Sequence, residues 1–292
     1  MTDYSTALKT LNEVKTSFTY PIFIPSLGRE VRFMQMTTAQ QKAFVKISML
    51  STSAQAAAFS DAAYSLIKET CTEAIDVDKL TILDRLVICL MIRIMSVGNT
   101  LKVSIGPDNL NEQDETKTNA KGESFSLNID LGVLYNKIVS EYAKIDANEQ
   151  TISLENNPIS VIISIPTLKD EFKINTMLSE LGRVTGDDPD NSAYAEIFSK
   201  TFYVELIKYI RAVIIVNPAT QETTTIEFAE LTPKQKMDVY LGIPANITSA
   251  VMLRVNDIIS NINKLTMFDI THQGKQYQYN IEVLNSDFFI AL

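Results

Sequence analysis

The sequence predicts an α+β fold: a helical core around a buried central helix, with an N-terminal β-hairpin, an inserted small β-rich module and a C-terminal β-hairpin. Three observations carry this prediction. The stretch 80–98, LTILDRLVICLMIRIMSVG, is apolar at almost every position, and a helix apolar on nearly all sides has to be buried on nearly all sides. Strand-like runs flank turn chemistry twice, at PSLG (25–28) and HQGK (272–275), which is hairpin patterning. Between 99 and 166 alternating segments dominate, so that region reads as the β-rich module.

Taken in order, residues 1–17 read as a short helix or a loosely tied arm. In TYPIFIPSLGREVRFMQM, Ile22, Ile24, Val31 and Phe33 alternate, and Pro25 and Gly28 supply the turn. Thr37 and Thr38 offer an N-cap for a helix to about Leu50. A second helix, Ser53 to Ala74, carries Ala56, Phe59, Ala63, Leu66, Ile67 and Cys71 at spacings of three and four. DVDK (76–79) breaks it. Thr81 then caps the central helix, Asp84 reaches back in a shortened capping box, and Gly98 stands at the C-cap position. Asp84, Arg85 and Arg93 are its only charges. Arg93 is expected to pair with a carboxylate, because a lone buried guanidinium is too costly.

Beyond Gly98, LKVSI (101–105) and SFSLNID (124–130) alternate like strands around a polar loop at 106–123. LGVLYNKIVSEYAKI reads as a short helix, and TISL and ISVIISI as strands. Thr167 opens an amphipathic helix ending at Gly182, followed by a loop at 183–192 and a long helix over 193–212. VIIVNPATQETTTIEF reads as a hairpin around NPAT. Thr232 and Pro233 start a further helix, ANITSAVMLRVNDIISNINKL is the last long one, and the hairpin at HQGK leads into an apolar FFIAL. The expected units are 1–98, 99–166 and 167–292.

Composition narrows the function. The chain has 292 residues, 46% hydrophobic and 21% charged, which is ordinary globular composition. With 26 basic and 35 acidic side chains its net charge is −9, which argues against nucleic acid or an anionic membrane as the main partner. The longest apolar run, LVICLMI at 86–92, is far short of the ~20 residues a membrane helix needs. No basic stretch followed by an apolar one opens the chain, so no signal peptide is expected. Cys71 and Cys89 fit buried thiols of a reducing cytoplasm.

Chemistry-bearing patterns are sparse. His272 is the single histidine and is expected at the surface beside a turn, with no second histidine for a metal cluster. No GxSxG, GxGxxG or Walker loop is present. Asp187, Asp188 and Asp190 lack the spaced ligands of a calcium loop and read as a solvated loop. Lys208 and Arg211, with Tyr209, read as a snorkelling helix face. Met34, Met36, Met49, Met91 and Met95 read as core filler. The residues therefore point to no catalytic group, no cofactor and no metal, and to a protein that works by contact.

The same stretches resemble a phage family, the T4-type baseplate hub proteins, which include hub assembly proteins of contractile-tailed phages. IPSLGREVRFMQMTTAQQKAF is similar to the family's opening hairpin and polar helix. IDVDKLTILDRLVICLMIRIMSVGN resembles its most recognisable block, with Leu80, Asp84, Arg93, Ser96, Val97 and Gly98 at the motif positions. FSLNIDLGVLY, FAELTPKQKMDVYLGIP and LNSDFFIAL follow in the family's order. The family's paired cysteines, which suggest metal knuckles, are absent from 99–130 and 265–285, so no zinc is expected. The resemblance implies a structural or assembly component of the tail baseplate hub, placed in the virion and assembled in the host cytoplasm. Its implied partners are hub, wedge or tail tube proteins, with homo-oligomerisation open. A tail assembly chaperone is the alternative within that biology. An acid-pair cell-wall hydrolase using Asp187 and Asp188 is the alternative outside it.

The candidate contact residues are Phe288, Phe289, Ile290 and Leu292, an apolar end that wants a partner, and Leu27 at the hairpin tip. The competing reading folds both phenylalanines back into the chain's own core.

Overall fold

A computed structural model describes residues 3–50, 52–106, 124–145, 148–174, 205–283 and 285–290. Helix α1 (Tyr4–Ser17) leads into an antiparallel hairpin of β1 (Thr19–Ile24) and β2 (Arg29–Met34). A short 3₁₀ turn at Pro25–Leu27 joins them, closed by Gly28 at φ 60°, where its N–H donates to the Ile24 carbonyl at 3.0 Å. Ile22, Ile24, Val31 and Phe33 are all buried, so the alternation in the sequence sets which face packs inward.

Helices α2 (Thr38–Ser48) and α3 (Thr52–Thr70) follow. Thr37 and Gln40 form a capping box on α2. Helix α3 stops at Thr70, four residues short of the predicted end, because Cys71 bridges to Phe33 as an extended residue. Met49, expected in the core, is 79% exposed beyond the end of α2.

Helix α4 (Ile82–Ser96) is the predicted central helix. Every residue from Leu83 to Leu90 is buried, and the helix packs against α3, β1 and α5 (Leu131–Glu141). Its capping box uses Thr81 and Asp84 as predicted. Strands β3 (Thr100–Ile105) and β4 (Phe125–Asp130) form a second antiparallel pair.

The third sheet departs from the predicted units. Strands β5 (Gln150–Ser153), β6 (Ile159–Ile163), β7 (Ile210–Val216) and β8 (Thr223–Glu227) form one antiparallel sheet in chain order. The boundary placed at 166 therefore falls inside a sheet: β5 pairs with β6 and β6 with β7, and neither pairs with β3 or β4. Of the helix predicted over 193–212, residues 193–204 lie outside the described ones, 205–207 are helical, and the end gives way, since Ile210 begins β7. IRAVIIV is rich in β-branched residues, and pairing with β6 on one side and β8 on the other outweighs the helical spacing. Lys208 and Arg211 thus share no helix.

Helices α6 (Pro233–Leu241) and α7 (Ala245–Leu265) are as predicted, Thr232 capping α6 with Pro233 in its first turn. Helix α7 lays Ile247, Val251, Val255 and Ile258 against β5, β6 and α5. Strands β9 (Met267–His272) and β10 (Lys275–Asn280) make the last hairpin, turning through Gln273 and Gly274, both at positive φ, the backbone a two-residue hairpin turn requires. Gly182, the 183–192 loop with Asp187, Asp188 and Asp190, residues 107–123 and Leu292 lie outside the described residues.

Two polar knots lie beneath these layers. Arg85 on α4 makes a bidentate pair with Glu171, on the helical stretch 168–174, and donates to Ser60. Both partners are buried. Asp170 accepts from Thr167 Oγ1 at 2.7 Å and pairs with Arg211 and, at 3.8 Å, with the buried Lys236. Burial alone would raise the Asp170 carboxyl, but the Thr167 hydroxyl and Arg211 outweigh it and hold it below its ordinary value. A carboxyl depressed by folding adds stability above its unfolded pKa of about 3.9 and loses it as pH falls through the folded value. The stability gap between the wild type and Asp170→Asn should thus be full above about pH 5 and close as acid denaturation proceeds below about pH 4. Urea titrations across pH 2.5–7 measure it, and a gap independent of pH would contradict this role.

Candidate protein-contact surfaces

The residues of the central block are a set of ties, each reaching a different part of the chain. Asp84 Oδ2 accepts from the Thr81 N–H at 2.6 Å, and its Oδ1 accepts from the Ser26 N–H at 2.9 Å. One carboxylate therefore caps α4 and pins the tip of the first hairpin to it. Ser96 Oγ accepts from the Met36 N–H at 2.8 Å, fixing the other end of that hairpin as it enters α2. Gly98, at φ 130°, turns the chain out of α4 and points its carbonyl at Arg93.

Arg93 corrects the expectation of a carboxylate partner. Its Nε donates to the Phe288 carbonyl at 2.8 Å, and the guanidinium also reaches the carbonyls of Gly98 and Thr100. Backbone dipoles converging on the planar fork satisfy the charge where no acid is needed. Two of these acceptors lie just past the end of α4 and the third, Phe288, 195 positions from Arg93, so spacing along one helix could not reveal them.

Arg93 thereby holds the 286–290 segment, and the structure shows where the candidate contacts lie. Phe289 is fully buried and stacks on Phe44 with ring centroids 4.3 Å apart; Phe59 lies at 6.1 Å. Gln41 Nε2 donates to the Phe289 carbonyl at 3.0 Å. Phe288 is also buried, beneath the Arg93 guanidinium. Both phenylalanines thus fold back into the chain's own core, which leaves only Ile290, half-buried, as the described apolar side chain of that end facing outward. Leu27 at the hairpin tip is 43% exposed.

Among the described residues a further outward apolar surface lies on α1. Tyr4, Ala7, Leu11, Val14 and Phe18 follow one another at intervals of three and four along α1, with Leu8 beside them, and all are exposed. The large side chains among them are 42–78% exposed. This is heptad spacing, the seam by which one helix packs on another. It is written plainly in DYSTALKTLNEVKTSF, and reading 1–17 as a short helix or a loosely tied arm, right as to the helix, passes over it. A helix of 14 residues is marginal alone in water, and this stripe stays 42–78% exposed at its large side chains. Such a surface is built to be covered.

Burial pushes the Cys89 thiol up to about 12, far from a nucleophile's range. Cys71 is free and half-buried, and burial raises it too. His272 stacks on Phe125 at 3.9 Å between ring centroids, joining the β3–β4 and β9–β10 hairpins. Among the described residues no His, Cys, Asp and Glu side chains group to hold a metal ion, and no helix is long and apolar enough to cross a membrane. A groove of about 400 Å³ between α2 and α3, floored by Ala39, Ala43 and Ala62 and rimmed by Asp61 and Glu69, is open to solvent.

No curated protein and no solved structure matches the chain. A protein-family model does, over residues 16–289: the family described as T4 bacteriophage base plate protein.

Proposed function

The chain belongs to the T4 bacteriophage base plate protein family and shares its structural role in the phage tail, and on that premise we propose that it is a baseplate hub component that acts purely by protein–protein contact. The α1 stripe carries this reading. The family match begins at residue 16, so α1 lies almost wholly ahead of it. We read α1 as a contact that this chain adds to the family's shared body, docking on a helix of a neighbouring hub, wedge or tube protein during assembly in the host cytoplasm. Leu27 and Ile290 are secondary contacts of the same kind. The buried Arg93 and Asp84 ties hold the body rigid beneath them.

Leu11→Asp tests this. The side chain is exposed, so stability should shift by no more than about 0.5 kcal/mol, while incorporation into baseplates should fall sharply. Quantitative mass spectrometry of purified particles against infected-cell lysate reads both the effect and the role. Undiminished incorporation of the variant would remove α1 as the contact. A wild-type chain abundant in lysate and missing from particles would make it an assembly chaperone instead.

A further inference from the structure

Strand β8 forms one edge of the four-stranded sheet, with β7 on its inner side. Its sequence, TTTIE, has no proline, no lysine and no bulge, and Glu227 at its end is its single charge. Thr223, Thr224, Thr225 and Glu227 are exposed.

The ladder fixes which backbone groups face outward. The Val216 N–H, opposite Thr223, points away from β8 and donates to the Pro158 carbonyl at 2.8 Å. Hydrogen-bonded and non-bonded pairs alternate along an antiparallel ladder, so Thr224 and Ile226 bond to β7 while Thr223 and Thr225 present their N–H and C=O groups, and Glu227 its N–H, to the outside; the Glu227 carbonyl opens the 3₁₀ turn at Phe228–Glu230. This set is symmetric about Thr225. A second β8, turned through a two-fold axis at Thr225, would place Thr225 against Thr225, Thr223 against Glu227 and Thr224 against Ile226. Each outward N–H then faces a carbonyl of the copy, a threonine pair sits at the centre, and neither Glu222 nor Glu227 meets its own copy. Threonine pairs stabilise such contacts and like charges directly opposite would oppose them.

We propose that two copies of this chain associate through β8, antiparallel and in the register centred on Thr225, forming one continuous eight-stranded sheet. The interface is isologous and closes on itself. It is independent of α1 and of the hub assignment.

Two full-length variants test it. Thr225→Cys should give a disulfide-linked dimer on mild oxidation well above the wild-type background from Cys71, because bonded partners across an antiparallel pair lie about 5.5 Å apart at Cα, within disulfide reach. Thr225→Pro removes the central outward N–H but no bond to β7, and an edge strand accepts it. It should remain monomeric in sedimentation equilibrium at concentrations where the wild type doubles its mass, with an unchanged circular dichroism spectrum. A wild type that stays monomeric and a Thr225→Cys chain that does not cross-link would overturn the proposal. So would dimers that persist in Thr225→Pro while Thr225→Cys fails to cross-link, since association would then use another surface. Should Thr225→Pro misfold, the cross-linking result alone decides.

Discussion

Glu171→Ala destabilises the chain by about 3–5 kcal/mol, the usual penalty for stranding one member of a buried ion pair. Arg85 and Glu171 are both buried, joined through two oxygens, and anchor α4 to the helical stretch at 168–174. Removing the carboxylate leaves a guanidinium in the core with Ser60 as its remaining described partner, and Arg85 Nε makes no hydrogen bond even in the intact pair. Against a total stability of about 5–15 kcal/mol, the variant sits near the folding threshold. Replacing both partners, Arg85→Met with Glu171→Leu, should recover most of the loss, because two apolar side chains of similar volume need no compensating charge. Thermal melts of the two variants decide the matter. Equal destabilisation of both would mean that side-chain shape, and not the stranded charge, governs the site.

Phe289→Ala comes second, at about 3–5 kcal/mol for a fully buried aromatic cut back to a methyl group. The ring stacks on Phe44 and lies against Phe59, so its loss opens a cavity between α2 and α3. Ile290→Ser, one residue on and half-buried, should change stability by no more than about 0.5 kcal/mol. That contrast separates the core part of the segment from its outward part. If Phe289→Ala melted like the wild type, the segment would be only loosely seated in solution and free to meet a partner.

These two predictions draw on features that stood differently in the sequence. The central helix, its Thr81–Asp84 cap and both hairpin turns were legible because each is local: caps, periodicity and turn residues lie within a few positions of one another. The Thr232–Pro233 start of α6 was legible for the same reason. What escaped was non-local. Residues 213–216 read as strand in the sequence, but Ile210 to Ala212 read as the end of a helix and join the strand because β6 lies ready to pair with them. The acceptors for Arg93 come from residues 98, 100 and 288, a convergence that no spacing encodes. For FFIAL, apolarity alone could not distinguish an inward from an outward end. The α1 seam differs from all of these, since its three-and-four spacing was on the page and only its exposure needed the fold.

The Arg93–Phe288 tie has a consequence for biosynthesis. Phe288 is separated from Arg93 by 195 positions, which at ~5–20 residues per second is a delay of roughly 10–40 s on the ribosome. Throughout that interval the first 98 residues have their hairpin and helices but lack the ring that closes them. A chain interrupted anywhere before Phe288 therefore never completes its first-made layer. Until that residue is made, Arg93 keeps only the Gly98 and Thr100 carbonyls, and the place of the Phe289 ring beside Phe44 and Phe59 stays open.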